Sequence, residues 1–150
     1  MSPLPASTGP HAPTPAHGRG GPAVGPDARP GGLAARRRLE IELLTRFAAS
    51  QGQGHLAPAR VEVSGGSHVH VDGVDAACSL FVEAHAFAEA LGPSQTVDVV
   101  QDLFKLALVA RTHPRARAVL LLGGERAVDS VRAIARTVPG LQAVELVAVA

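Results

Sequence analysis

Two short stretches concentrate the side chains able to do chemistry. His68-Val69-His70-Val71-Asp72 and Phe81-Val82-Glu83-Ala84-His85 both alternate polar and apolar residues. As strands they would set His68, His70 and Asp72 on one face, and Glu83 with His85 on one face. An antiparallel pairing of Asp72 with Glu83 would bring His70 opposite His85. Two carboxylates and two imidazoles form a donor set able to hold a divalent metal. The bland alternative is a half-exposed strand whose histidines face water.

Two helical segments carry polar residues that scaffold alone does not explain. On a wheel of 100° per residue, Leu43, Leu44 and Phe47 fall within about 60° of Glu40. Glu42 points to the opposite side. A carboxylate inside an apolar stripe must be paired, coordinated or protonated, and an arginine at the rim would satisfy it as well as a metal. Further on, Gln95, Asp98, Asp102 and Lys105 make a polar row at spacings of 3, 4 and 3 along one helix edge, beside the apolar face of Val99, Leu103, Leu106 and Ala110. Such a row is either a solvated face or the border of a site.

These residues need elements to position them. Residues 1–32 hold 8 of the 12 prolines and 7 of the 16 glycines, so they read as a disordered Pro/Gly-rich leader that cannot bury enough apolar surface to order itself. Residues 33–150 then form one domain. Leu33 to Ser50 has helical periodicity, stopped by Gly52 and Gly54. Arg60–Val63 and His68–Val71 flank Ser64-Gly65-Gly66-Ser67 as a hairpin. Ala76–Leu91 fits a helix by composition and a strand by its opening residues. Ser94 caps a helix reaching Thr112, Ala116–Leu122 is a buried strand, Arg126–Thr137 is a helix, and Ala143–Val149 is a last strand. Strands joined by helices at this spacing are parallel crossover units.

The 150-residue chain has a net charge of +1, so it lacks the broad basic field of a strong nucleic-acid binder. With no Trp or Tyr, base-stacking platforms are not expected. One cysteine, Cys78, excludes an internal disulfide and a multi-cysteine zinc site. No charged start followed by an apolar run marks a secretory signal, and no stretch approaches the ~20 apolar residues of a membrane span. The expectation is a cytoplasmic protein without a membrane partner.

The order of elements, with Glu40, Val71-Asp72-Gly73, Val82-Glu83-Ala84, Gln95 and Asp102-Leu103-Phe104-Lys105-Leu106 followed by Val119-Leu120-Leu121-Leu122, resembles the PD-(D/E)XK nuclease superfamily. Residues 36–149 are similar to a group of small restriction-endonuclease-like proteins, mostly uncharacterised, from high-GC bacteria. The resemblance implies an α/β fold, a restriction-endonuclease-like αβββαβ core with a mixed sheet, extended here by a C-terminal αβ unit, and makes Ser79–Ala86 a strand. It also implies hydrolysis of DNA phosphodiesters with Mg²⁺ or Mn²⁺. Asp72 (or Asp75) and Glu83 would bind the metal, with Glu40 in support. Oxygen ligands suit such ions, which activate water and offset charge on phosphate.

This chain departs from the pattern where the family has its strand lysine, here His85. Lys105, the only lysine, is the substitute from the next helix, with Gln95 assisting. Basic residues of the pattern are replaced by Gly92 and Asp98. Three readings follow: a weak metal-dependent nuclease, a degenerate nuclease-fold module for binding or assembly, and a small Rossmann-like ligand-binding domain built on Leu122-Gly123-Gly124-Glu125. The last lacks the third glycine of a phosphate loop.

Overall fold

A computed structural model describes residues 30–149. The expected leader over 1–32 therefore lies outside the described residues, apart from Pro30–Gly32, which already belong to helix α1 (Pro30–Ser50). The helix begins earlier than Leu33 because proline fits the first helical turn, where its missing N–H costs no bond. The order then runs β1 (Ala57–Glu62), a 3-10 turn at Ser64–Gly66, β2 (His68–Val74), β3 (Leu80–His85), α2 (Pro93–Thr112), β4 (Arg117–Leu122), α3 (Glu125–Ala135) and β5 (Glu145–Ala148). Ala76–Leu91 thus holds a strand, as the resemblance implied.

The five strands form one mixed sheet in sequence order. β1, β2 and β3 are antiparallel neighbours, while β3, β4 and β5 are parallel. Each parallel step is made by a helix, as the crossover rule requires. Alternation along the strands assigns the faces. Leu80, Val82 and Ala84 of β3 and Val119 and Leu121 of β4 pack with Leu44, Phe47 and Ala48 of α1. Ala118, Leu120 and Leu122 of β4 pack with Val99, Leu103 and Leu106 of α2 and with Val128 and Val131 of α3. The sheet is therefore sandwiched, α1 on one face and α2 with α3 on the other. Glu83 and His85, alternating with Val82 and Ala84, point to the α2 side.

One local expectation is corrected. Ser94 does not cap α2: Gly92 occupies the cap position, Pro93 opens the helix, and the Gln95 side chain accepts the Gly92 amide at 2.9 Å. Gly123 and Gly124 have a packing role. A Cβ on Gly124 would meet the Ala88 carbonyl oxygen at 2.6 Å, and one on Gly123 would meet backbone atoms of Ala86 and Phe87 near 3.2 Å. Both are glycine because the β3–α2 connection crosses directly over them, with the Gly123 amide donating to the Phe87 carbonyl at 2.9 Å.

This contact makes a prediction. Gly124→Ala should lower unfolding free energy by about 1–3 kcal/mol in urea titration, the range for overpacking a fixed contact. Gly54→Ala, where a Cβ meets nothing within 4 Å, should leave the midpoint nearly unchanged. Equal effects at the two sites would mean that the loop yields.

Candidate functional site

Asp72 and Glu83 come together at the end of the β2–β3 ladder. The last pair of the ladder at this end, Gly73↔Val82, leaves Asp72 and Glu83 as the next residue on each strand. There the backbone ladder stops, because the Ala84 amide donates to Asp72 Oδ2 at 3.2 Å in place of a β2 carbonyl. Gly73 is required at this point: a Cβ would lie 3.0 Å from Leu56 and 3.2 Å from Leu44. Because the strands part here, His70 stays exposed across from Arg60, and His68 across from Glu62. The expected convergence of two imidazoles reduces to His85 alone.

Glu83 is buried, with 3% of its surface accessible. Lys105 Nζ from α2 lies 2.5 Å from its Oε1, so the buried carboxyl has an ammonium directly against it. Lys105 Nζ also lies 2.8 Å from Asp102 Oδ1. The other Asp102 oxygen meets His85 Nε2 at 2.9 Å, and His85 Nδ1 faces Arg36 Nη2 at 3.3 Å. A guanidinium can only donate, so Nδ1 accepts and Nε2 carries the proton that goes to Asp102. His85 is thus held as a strut between Arg36 and Asp102, stacked at 5.2 Å on Phe87.

α1 supplies the remaining charges. Arg36 Nε donates to Glu40 Oε1 at 2.9 Å; its Nη2 lies 3.6 Å from Asp98; and its guanidinium sits 4.6 Å over the Phe87 ring. Arg37 Nη1 donates to Asp72 Oδ1 at 3.0 Å and lies 3.9 Å from Glu40 Oε2. Glu40 is buried in the Leu43–Leu44–Phe47 stripe as its position on the wheel implies, and arginine pairing satisfies it. Of the polar row on α2, Asp98, Asp102 and Lys105 border this cluster. Gln95 does not: its side-chain oxygen is engaged in the α2 cap.

Asp75 belongs elsewhere. Its carboxylate accepts the Ser79 amide at 2.7 Å, the Ser79 hydroxyl at 2.6 Å and the Leu80 amide at 2.8 Å, so it shapes the β2–β3 turn. Those donors outweigh its burial and hold it below the usual carboxylate range. Between the two alternatives, Asp72 is the one beside Glu83.

The charges set the protonation states. Burial pushes the Glu83 carboxyl up to about 9, the Asp102 and Asp72 carboxylates push the same way, and Lys105 pulls against them. Burial would lower the Lys105 ammonium, but Asp102 and Glu83 outweigh it and hold it above its ordinary range. Burial would raise Asp102, yet His85 and Lys105 keep it below its ordinary range. Arg36 and Arg37 are the site residues that sequence reasoning missed. The visible signal was the Arg36–Glu40 and Arg37–Glu40 spacing of four and three on one helix.

Asp72 and Glu83 have the hard oxygen donors that a divalent cation takes. Among the described residues no group of three or more acidic, histidine or cysteine side chains is arranged to hold a metal, so the pair would need water or substrate oxygens to complete a shell. No family model matches the chain, and no curated protein or solved structure is significantly similar to it. Among the described residues no helix is long and apolar enough to cross a membrane.

The raised Glu83 has a signature in stability. Unfolded, the carboxyl ionises near its ordinary 4.5; folded and metal-free, it keeps its proton up to about 9. The native state binds the extra proton, so stability falls as pH rises between those values. In EDTA, the melting temperature of the wild type should decline from about pH 5 to about pH 9, and Glu83→Gln should flatten that decline. Parallel declines would assign the effect to another group.

Proposed function

We propose that this chain is a weak metal-dependent phosphodiesterase acting on DNA, of the PD-(D/E)XK kind, with Lys105 of α2 serving in place of the strand lysine that His85 displaces. The observation that carries the reading is the meeting of Lys105, Glu83 and Asp72 from α2, β3 and β2 around the buried Glu83 carboxyl. The α1–β1–β2–β3–α2–β4 order, with β4 parallel to β3, supports the restriction-endonuclease-like arrangement, and α3 with β5 forms the added C-terminal unit.

Asp72 and Glu83 would hold Mg²⁺ or Mn²⁺. Such an ion, when bound, lowers the pKa of water and offsets charge on phosphate. Glu83 gives up its proton to become an anionic ligand at neutral pH. Lys105 keeps a fixed positive charge at Glu83 and at the phosphate beside it. Asp102 orients that ammonium through one oxygen and is itself oriented through the other by His85. Arg36 and Phe87 lock His85 in turn. Removing a preorganised charge-stabilising donor typically costs ~10²–10³ in rate.

A catalytically silent binding module is the second reading, favoured by one feature: Asp72, Glu83 and Glu40 each have a cation of this same chain against them. Two measurements divide the readings. Mg²⁺ or Mn²⁺ should raise the melting temperature of the wild type and leave Glu83→Gln unmoved, because ligands that bind the native state stabilise it by mass action. Mn²⁺-dependent nicking of plasmid DNA should fall about 10²-fold or more in Lys105→Ala. A metal shift without nicking supports the module; equal nicking by wild type and Lys105→Ala removes the lysine's role.

A further inference from the structure

Each oxygen of Asp72 already has a donor from this chain, and the charged one is Arg37. Oδ2 is committed to the Ala84 amide, whereas Oδ1 takes Arg37 Nη1 at 3.0 Å. The two arginines of α1 are held very differently. Arg36 is fixed by Glu40, His85, Asp98 and the Phe87 ring. Arg37 has Asp72 and only a long 3.9 Å approach to Glu40, and half of its side chain, 52%, is exposed. Arg37 and Asp72 also line an open cavity of about 260 Å³ beside Leu44, Ala48 and Leu56, so this end of the cluster is reachable from solvent.

We propose that Arg37 is an exchangeable cation: it holds Asp72 Oδ1 while the metal is absent and turns to a substrate phosphate when a divalent cation takes that oxygen. The inference rests on the reading of Asp72 and Glu83 as metal ligands. A guanidinium suits both postures, since its planar fork matches carboxylate and phosphate alike. Metal and DNA then bind with positive coupling, because the metal releases the arginine that the phosphate needs. A fixed structural ion pair would do the opposite, weakening both when cut.

The test is Arg37→Gln in the full chain, with two readouts that should move in opposite directions. Free Mn²⁺, followed by electron paramagnetic resonance, should show tighter binding to the variant, by up to about fivefold for loss of an exposed ion pair. A fluorescently labelled DNA duplex, followed by anisotropy with Ca²⁺ present, should bind about tenfold more weakly. Its log-affinity against log-salt slope should shrink by about one. Arg37→Lys, which keeps the charge, should restore most of the wild-type Mn²⁺ affinity. Unchanged or weaker Mn²⁺ binding in Arg37→Gln overturns the exchange while leaving the metal site standing, and so does unchanged DNA binding. Absence of Mn²⁺ binding in the wild type overturns the metal site and the exchange together.

Discussion

The structure depends on one expensive feature, a carboxyl group buried in the middle of the sheet. Glu83 lies on β3, the strand shared by the antiparallel and parallel halves, and nearly all its surface is covered. Burial there disfavours the ionised carboxylate, which is tolerable only with a cation close by. An apolar residue of similar size would cost nothing of the kind. The surroundings are arranged accordingly: Lys105 reaches in from α2, Asp102 steadies Lys105, His85 steadies Asp102, and Arg36 steadies His85. Four side chains from three elements are spent on one carboxyl.

The same chain of contacts shows what a histidine does at position 85. A second cation at that position would stand against Arg36 and compete with Lys105 for Asp102. The imidazole instead faces Arg36 with one nitrogen and Asp102 with the other, passing orientation across β3 from α1 to α2. Lys105 provides the positive charge, on a flexible stem already directed at Glu83. The result is a linked set in which each side chain orients the next.

Much of this was legible because period and polarity agree. Glu40 falls in an apolar stripe on any helical wheel, whereas the register that brings Asp72 beside Glu83 was one of several that alternation allowed, and β3 itself came from the resemblance rather than from propensity. Lys105 stood out as the only lysine, on a row of polar residues along one helix edge. Other parts depend on contacts across the fold that spacing does not encode. Arg37 meets Asp72 from 35 residues away. His70 separates from His85 because a side chain takes the Ala84 amide. Gln95 is claimed by the α2 cap, and Gly123-Gly124 serves a close backbone crossing. In each case a local pattern was open to two uses, and packing decided between them.

The claim at the centre is that Asp72, Glu83 and Lys105 form one metal-dependent site. Anomalous diffraction from crystals soaked in Mn²⁺ tests it most directly. The account predicts an anomalous peak bridging the Asp72 and Glu83 carboxylates at metal–oxygen distances near 2 Å, roughly the length for small hard divalent cations, with Lys105 Nζ still against Glu83. A peak held by other residues, or none while Lys105 and Arg37 keep both carboxylates, would contradict it.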